Sequence, residues 1–393
     1  MNVLYISSKP AYPKTDGGTF AVASFIDTLI GANCNITYLT ISTEKHPFNK
    51  TSFPEQVIEK MSIDSCFVDT SVRPLKALIH LFKKGSFNVD RFYSDEMRAK
   101  IVLLLNNQSF DTVILDSLFS TPYLSAIRSH FDGKIFVRTH NVEGDLWSFY
   151  AESASGLKSL YLKKLASDLQ RYEVETLQQC DGILSISDAD KDRFKELGIT
   201  TASETLPVGI LNQAGPMDYA NNTVYHFGSM NWEPNRESVE QLLWIWDRVL
   251  QAVPQAKCVI AGSDSDKHYT SNSTKNIEVL GFVDDPVEFS QKMGILVAPI
   301  RTASGIRIKI LEAMNAGIPI ITTTVGALGI DHATTNCLVI ADTPDLLVEK
   351  TVALIKSEEL RKEIGTNGRD YLNKNHNIAD TSQKLIEFIS AAQ

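Results

Sequence analysis

Short apolar runs alternate with longer amphipathic stretches along the whole chain. In the first half, "NVLYIS" (2–7), "NITYLTI" (35–41), "TVILD" (112–116), "KIFVRT" (134–139) and "GILSIS" (182–187) have the length and composition of buried strands. Helix-period segments separate them, which predicts a parallel sheet with helices on both faces. The second half repeats the plan with "TVYHFGS" (223–229), "AKCVIAG" (256–262), "IEVLGF" (277–282), "GILVAPI" (294–300) and "IPIITTT" (318–324), and with helices such as 237–253 between them. The expected fold class is therefore α/β, with two Rossmann-like doubly wound domains facing a cleft. Pro207, Gly209, Gly215 and Pro216 punctuate a stretch of little periodicity, so the boundary is expected between 208 and 209. The first domain is then 1–208 and the second 209–377, with a last helix at 378–393 able to pack back on the first.

A length of 393 residues fits two domains, and the net charge of −9 is spread out with no basic tail, which argues against a nucleic-acid partner. Five cysteines, an odd number lying far apart, point to reduced thiols and a cytoplasmic chain. The opening run is cut short by Lys9 and Pro10, unlike a signal peptide, and no apolar run reaches the roughly 20 residues of a membrane span. Residues 73–91, "RPLKALIHLFKKGSFNVDR", are basic and partly amphipathic. They suit either peripheral contact with the inner face of a membrane or a charged surface helix.

Ligands of doubly wound sheets bind off the carboxyl ends of the strands, so chemistry is sought there. Gly17 and Gly18 stand between the first strand and its helix, where paired glycines admit a ligand or simply make a tight turn. Their spacing is not the dinucleotide fingerprint, which weakens a dehydrogenase reading. After 134–139 come His140, Asn141 and Glu143, with Arg138 at the strand end: a cluster of hydrogen-bonding groups where a cleft is expected, or satisfied loop residues. Gly228 allows close approach after a strand of the second half, and Asn235 is a candidate helix N-cap, while Trp232 suits site or core. Capping and loop solvation account for the acidic pairs Asp188/Asp190 and Asp264/Asp266, so no metal is expected.

The segment "RTASGIRIKILEAMNAGIPI" (301–320) carries its charges the wrong way round. A helix begun near Gly305 has Arg307 and Lys309 in its first turn, where the helix dipole disfavours cations. An anion over the helix start resolves the conflict: a diphosphate takes free amides, a bidentate contact from Arg301 or Arg307 and a point charge from Lys309. Glu312 then suits ribose hydroxyls, although pairing with Lys309 three residues away is the alternative.

The segment 305–323, together with Gly17–Gly18, 138–143, 185–190 and 228–235, resembles glycosyltransferase family 4, the group 1 glycosyltransferases, whose members have the GT-B fold. The resemblance covers nearly the whole chain. It implies a retaining, metal-independent transferase without a cofactor, moving a sugar from a nucleoside-diphosphate sugar to a glycan or lipid-linked acceptor, as in bacterial surface polysaccharide synthesis. It also implies that Glu312 holds the ribose, His140 stands beside the reacting sugar, and Gly17 and Gly18 lie near the phosphates. The first glutamate of the family's pair falls on Ser304. Positions that carry an Arg and a Lys in many relatives hold Ser229 and Met230, so Arg301, Arg307 and Lys309, around Ser304 and Gly305, are the expected clamp. The rival readings are a nucleotide-sugar 2-epimerase of the same architecture and a non-catalytic nucleotide-binding protein.

Overall fold

The computed structural model describes all residues except 73–84, 153, 212–214, 284–285, 303–305 and 393. The chain forms two compact units, Met1–Gly209 with Ile378–Gln393, and Ile210–Asn377.

The first unit holds a parallel sheet of β1 (Asn2–Ser7), β2 (Asn35–Ser42), β3 (Met61–Phe67), β4 (Thr112–Asp116), β5 (Lys134–Thr139), β6 (Gly182–Ser185) and β7 (Ser203–Thr205), in the order β3-β2-β1-β4-β5-β6-β7. The near-continuous burial of β1, β4 and β5 explains why they read so clearly as apolar runs. The edge strand β3 was not expected. Its sequence, "MSIDSCF", alternates between buried and exposed positions and carries too few apolar residues to announce itself. The helix Ile378–Ala392 packs on the helix Gly17–Gly31, where Ser382 Oγ donates to the Thr28 carbonyl at 2.8 Å. Leu385 and Ile389 enter the first unit's core beside Val22, Phe25 and Leu29.

The second unit repeats the architecture with β8 (Val224–Phe227), β9 (Cys258–Ala261), β10 (Ile277–Gly281), β11 (Ile295–Ala298), β12 (Ile320–Thr322) and β13 (Val339–Ile340), ordered β10-β9-β8-β11-β12-β13. In both sheets the chain first builds outward in one direction and then crosses to build in the other. The loops after β1 and β4 therefore diverge, as do those after β8 and β11, and each divergence opens a crevice at the carboxyl ends. All five cysteines are buried and free. No described helix is long and apolar enough to cross a membrane.

Two glycines make the second crevice possible. Gly228 N donates to the Ala261 carbonyl at 3.1 Å, and Gly262 follows with a φ of +122°. A Cβ on Gly262 would stand 2.1 Å from the Gly228 carbonyl oxygen, so the two loops meet backbone to backbone. Gly262→Ala is expected to destabilise the protein by roughly 2 kcal/mol or more through clash and positive-φ strain. A thermal unfolding midpoint unchanged from the parent would contradict this packing.

Candidate functional site

Residues that bear chemistry gather at the crevice of each unit. In the second unit, the helix Ile308–Ala316 begins later than the sequence implied, with Arg307 as its N-cap in extended conformation (φ −91°, ψ 105°). The alternating "IRIKI" thus straddles an extended entry and the first helical turn, and Lys309 is the second helical residue. The buried Arg307 places its guanidinium 5.7 Å from the centre of the Trp232 ring. Lys309 Nζ donates to Asn235 Oδ1 and lies 2.9 Å from where a Cβ on Gly228 would stand. Gly228 is therefore bare because an amine and an amide occupy the space beside it.

Asn235 is not the N-cap that its sequence position implied. The helix Glu233–Ala252 starts earlier, capped at Trp232, and Asn235 is buried inside its first turn. Its Nδ2 donates to the Ser229 carbonyl at 2.8 Å while its Oδ1 takes the lysine proton. Below it, His226 on β8 is fully buried, with Nδ1 3.0 Å from the Val297 carbonyl. The other nitrogen, Nε2, makes no hydrogen bond of normal geometry, and Asn235 is its polar neighbour.

Burial governs the charges here. It lowers the Lys309 amine to about 7, with Arg307 adding repulsion and Glu312 offsetting part of it. Burial likewise depresses His226 to about 3, reinforced by Lys309, so the imidazole is neutral. Arg301 is exposed beyond β11, with no pairing partner among the described residues, whereas Arg307 and Lys309 stand together at the helix start, with the Lys309 amine beside Gly228. Ser304 and Gly305 lie outside the described residues.

In the first unit, Asp16 caps the helix Gly17–Gly31 through a capping box with Thr19, leaving Gly17 and Gly18 as its first two residues. Lys9 lies against Gly18 and 3.5 Å from Asp16, which His46 also approaches at 3.7 Å. Neither Lys9 nor His46 was singled out in the sequence. Along β4 and β5, Asp116 and Arg138 are register partners, and Arg138 Nη1 donates to Asp116 Oδ1 at 2.9 Å. His140 Nε2 stands 2.9 Å from the same Nη1 and 3.0 Å from Asp116 Oδ2. Burial alone would raise the Asp116 carboxyl, yet His140 and Arg138 hold it well below the usual carboxylate range. Asp116 was missed in the sequence. The available signal was that the apolar run "TVILD" ends on an acid.

Asn141 Nδ2 lies 3.5 Å from Glu143 Oε1, and burial pushes the Glu143 carboxyl up to about 7. Glu173 receives the Glu143 and Gly144 amides at 2.9 and 3.0 Å, although burial still raises it to about 8. It thereby caps the helix Glu143–Glu152 and fixes where Glu143 starts. Of the basic stretch 73–91, residues 73–84 lie outside the described residues. The remainder is not an exposed amphipathic face, since Phe87, Asn88 and Val89 are buried in a single helical turn.

Residues 221–357 match the family described as Glycosyl transferases group 1. An uncharacterized glycosyltransferase of Methanocaldococcus jannaschii is 36% identical over 107 residues, 26% of this chain and 30% of that relative. The match thus spans less than a third of the relative's length. Two solved structures share the fold over 100% of both chains: sucrose-phosphate synthase of Thermosynechococcus elongatus (12% identity, TM-score 0.70) and HepE of Anabaena with UDP and glucose (15%, 0.70). TarM of S. aureus, solved with fondaparinux, a GlcNAc-glycerol and UDP, is 12% identical with a TM-score of 0.67 over 99% of this chain and 100% of TarM. The architecture is GT-B, and the match to group 1 glycosyl transferases falls within the second unit.

The buried lysine has a measurable consequence. Its folded value of about 7 lies below the 10.5 of a free lysine, so between these values the unfolded chain binds more protons and stability rises with pH. Below about pH 7 the amine is charged in both states and its full burial cost is felt. Lys309→Met is expected to raise the denaturation midpoint most at about pH 6, with a gain that shrinks toward pH 10. A gain that is constant or grows with pH would show that the amine is not held this way.

Proposed function

We propose that the chain is a retaining glycosyltransferase of the family 4 type, moving a sugar from a nucleoside-diphosphate sugar to a glycan or lipid-linked acceptor in bacterial polysaccharide or glycoconjugate synthesis. The observation that carries this reading is the pair Arg307 and Lys309, two cations at one helix start with the Lys309 amine beside the bare Gly228, inside the segment that matches the group 1 family. Two cations brought together at a helix start favour an anion, and a diphosphate meets both. UDP in the solved HepE and TarM is a ligand of this chemistry.

In this reading the diphosphate takes amides of the first helical turn, a forked contact from Arg307 and the Lys309 ammonium. As the bond from the anomeric carbon to the leaving oxygen breaks, negative charge builds on the nucleotide, and these fixed cations stabilise it more in the transition state than before. They do the charge-neutralising work that a divalent ion does elsewhere, so the proposal invokes no metal and no cofactor. Glu312, one turn further along, accepts from the ribose hydroxyls. The same proposal assigns Gly17 and Gly18 to the phosphates and His140, Asn141 and Glu143 to hydroxyls of the sugars. Reaction in the cytoplasm, with peripheral membrane contact, belongs to the same proposal.

The test is a thermal-shift panel of UDP, UDP-glucose, UDP-N-acetylglucosamine and GDP-mannose against the parent and Arg307→Ala. At least one nucleotide is expected to raise the midpoint of the parent. Arg307→Ala is expected to weaken that nucleotide by about tenfold or more, the scale of one charge-assisted hydrogen bond. Silence of the whole panel, or equal binding by the variant, would sink the proposal.

A further inference from the structure

At the second crevice one short side chain serves two opposed partners. Asn235 stands in the first turn of the helix Glu233–Ala252 and is 4% exposed. Its Nδ2 gives a hydrogen to the Ser229 carbonyl at 2.8 Å, and its Oδ1 takes one from Lys309 Nζ. A carbonyl oxygen can only accept, so Ser229 alone decides which way the carboxamide faces. Oδ1 is thereby turned to the amine, which has hydrogens to give whether it is charged or neutral. Gly228 supplies the space: a Cβ there would stand 2.5 Å from Asn235 Nδ2 and 2.9 Å from Lys309 Nζ.

The two contacts differ in what depends on them. The loop at Ser229 is tied down by other bonds, since the amides of Gly228 and Met230 go to the Ala261 and Ser263 carbonyls at 3.1 and 2.9 Å, and Arg236 Nη1 donates to the Met230 carbonyl. Lys309 has a competing partner in Glu312, three residues along its own helix. Glu312 acts on the amine through its charge, but the hydrogen bond goes to Asn235. The kind of acceptor matters here. A carboxylate in this place would cancel the charge of the amine and set a second oxygen against the Ser229 carbonyl, whereas an amide holds the amine and cancels nothing.

We propose that Asn235 is a positioning residue that acts through Lys309: it fixes the amine beside Gly228 with a neutral acceptor, so that the charge of the amine is left for a bound diphosphate. The inference rests on the reading of the Arg307–Lys309 helix start as a diphosphate site, and its two parts are tested separately.

The contact is tested without any ligand. Denaturation midpoints are compared for the parent, Asn235→Leu, Lys309→Met and the double variant, all as the full chain. Leucine strips the amine of its acceptor, so Asn235→Leu is expected to lower the midpoint more in the parent than in Lys309→Met, where no amine is left. Equal losses in the two backgrounds overturn the contact, and Asn235→Ala makes the same comparison if leucine is not accommodated.

The role is tested by calorimetric titration with UDP and with GDP. Asn235→Leu is expected to weaken the nucleotide that binds the parent by about tenfold, and to leave its affinity for Lys309→Met within about twofold. A residue that only kept the loop in shape would cost the same in both backgrounds, and that result overturns the positioning role. Asn235→Asp is expected to bind more weakly than Asn235→Leu, because its carboxylate engages the amine. Binding as tight as that of the parent overturns the need for a neutral acceptor. A parent that binds neither nucleotide counts against the proposed function and removes the second part of the inference with it, while the midpoints still decide the first.

Discussion

A cation removed from water seeks either a counterion or a neutral state, and the second unit is arranged around a lysine given neither in full. Lys309 is partly buried beside the buried Arg307, and its amine finds a neutral amide, Asn235, as its hydrogen-bond acceptor. Its neighbourhood is consistent with that choice. His226 is neutral beneath it, Gly228 has no side chain to crowd it, and Gly262 has none because the Gly228 backbone lies against it. The cost of holding like charges together at a helix start is tolerated in a fold only where something compensates it. In the proposed function a diphosphate does so.

The first unit solves the opposite problem. There a carboxylate and a guanidinium are buried together on adjacent strands, satisfied by one another, and the pair is rigid because strand register and the turn at Ser117 fix both partners. A buried pair of this kind contributes little net stability, but it holds direction well. The two units thus use buried charge differently: one gathers Arg307 and Lys309 at a helix start, and the other pairs a carboxylate with a guanidinium across two strands.

Much of this was legible in the sequence, for identifiable reasons. The alternation of apolar runs and helix periods gave both sheets, because strands buried on both faces are continuous in hydrophobicity. The misplaced charges of Arg307 and Lys309 were visible because the helix dipole makes their position costly. The start of that helix was placed early, since "IRIKI" alternates as a strand does and Arg307 is in fact extended. Asp116 was missed because its importance depends on β4 lying beside β5 in a given register, which the acid that ends "TVILD" only hints at. Asn235 looked like a cap because asparagine so often is one. Its burial and its lysine partner, 74 positions away, belong to tertiary structure.

The claim that the Arg307–Lys309 helix start receives a diphosphate is tested most directly by the protons taken up when the nucleotide binds. Calorimetric titration is run at about pH 8, above the value of about 7 held by the buried amine, in buffers of different ionisation enthalpy, with the nucleoside diphosphate of the strongest-binding sugar nucleotide. The account predicts a heat that varies with the buffer in the sense of proton uptake by the protein, and loss of that variation in Lys309→Met. The same heat in every buffer, or uptake undiminished in the variant, would contradict it.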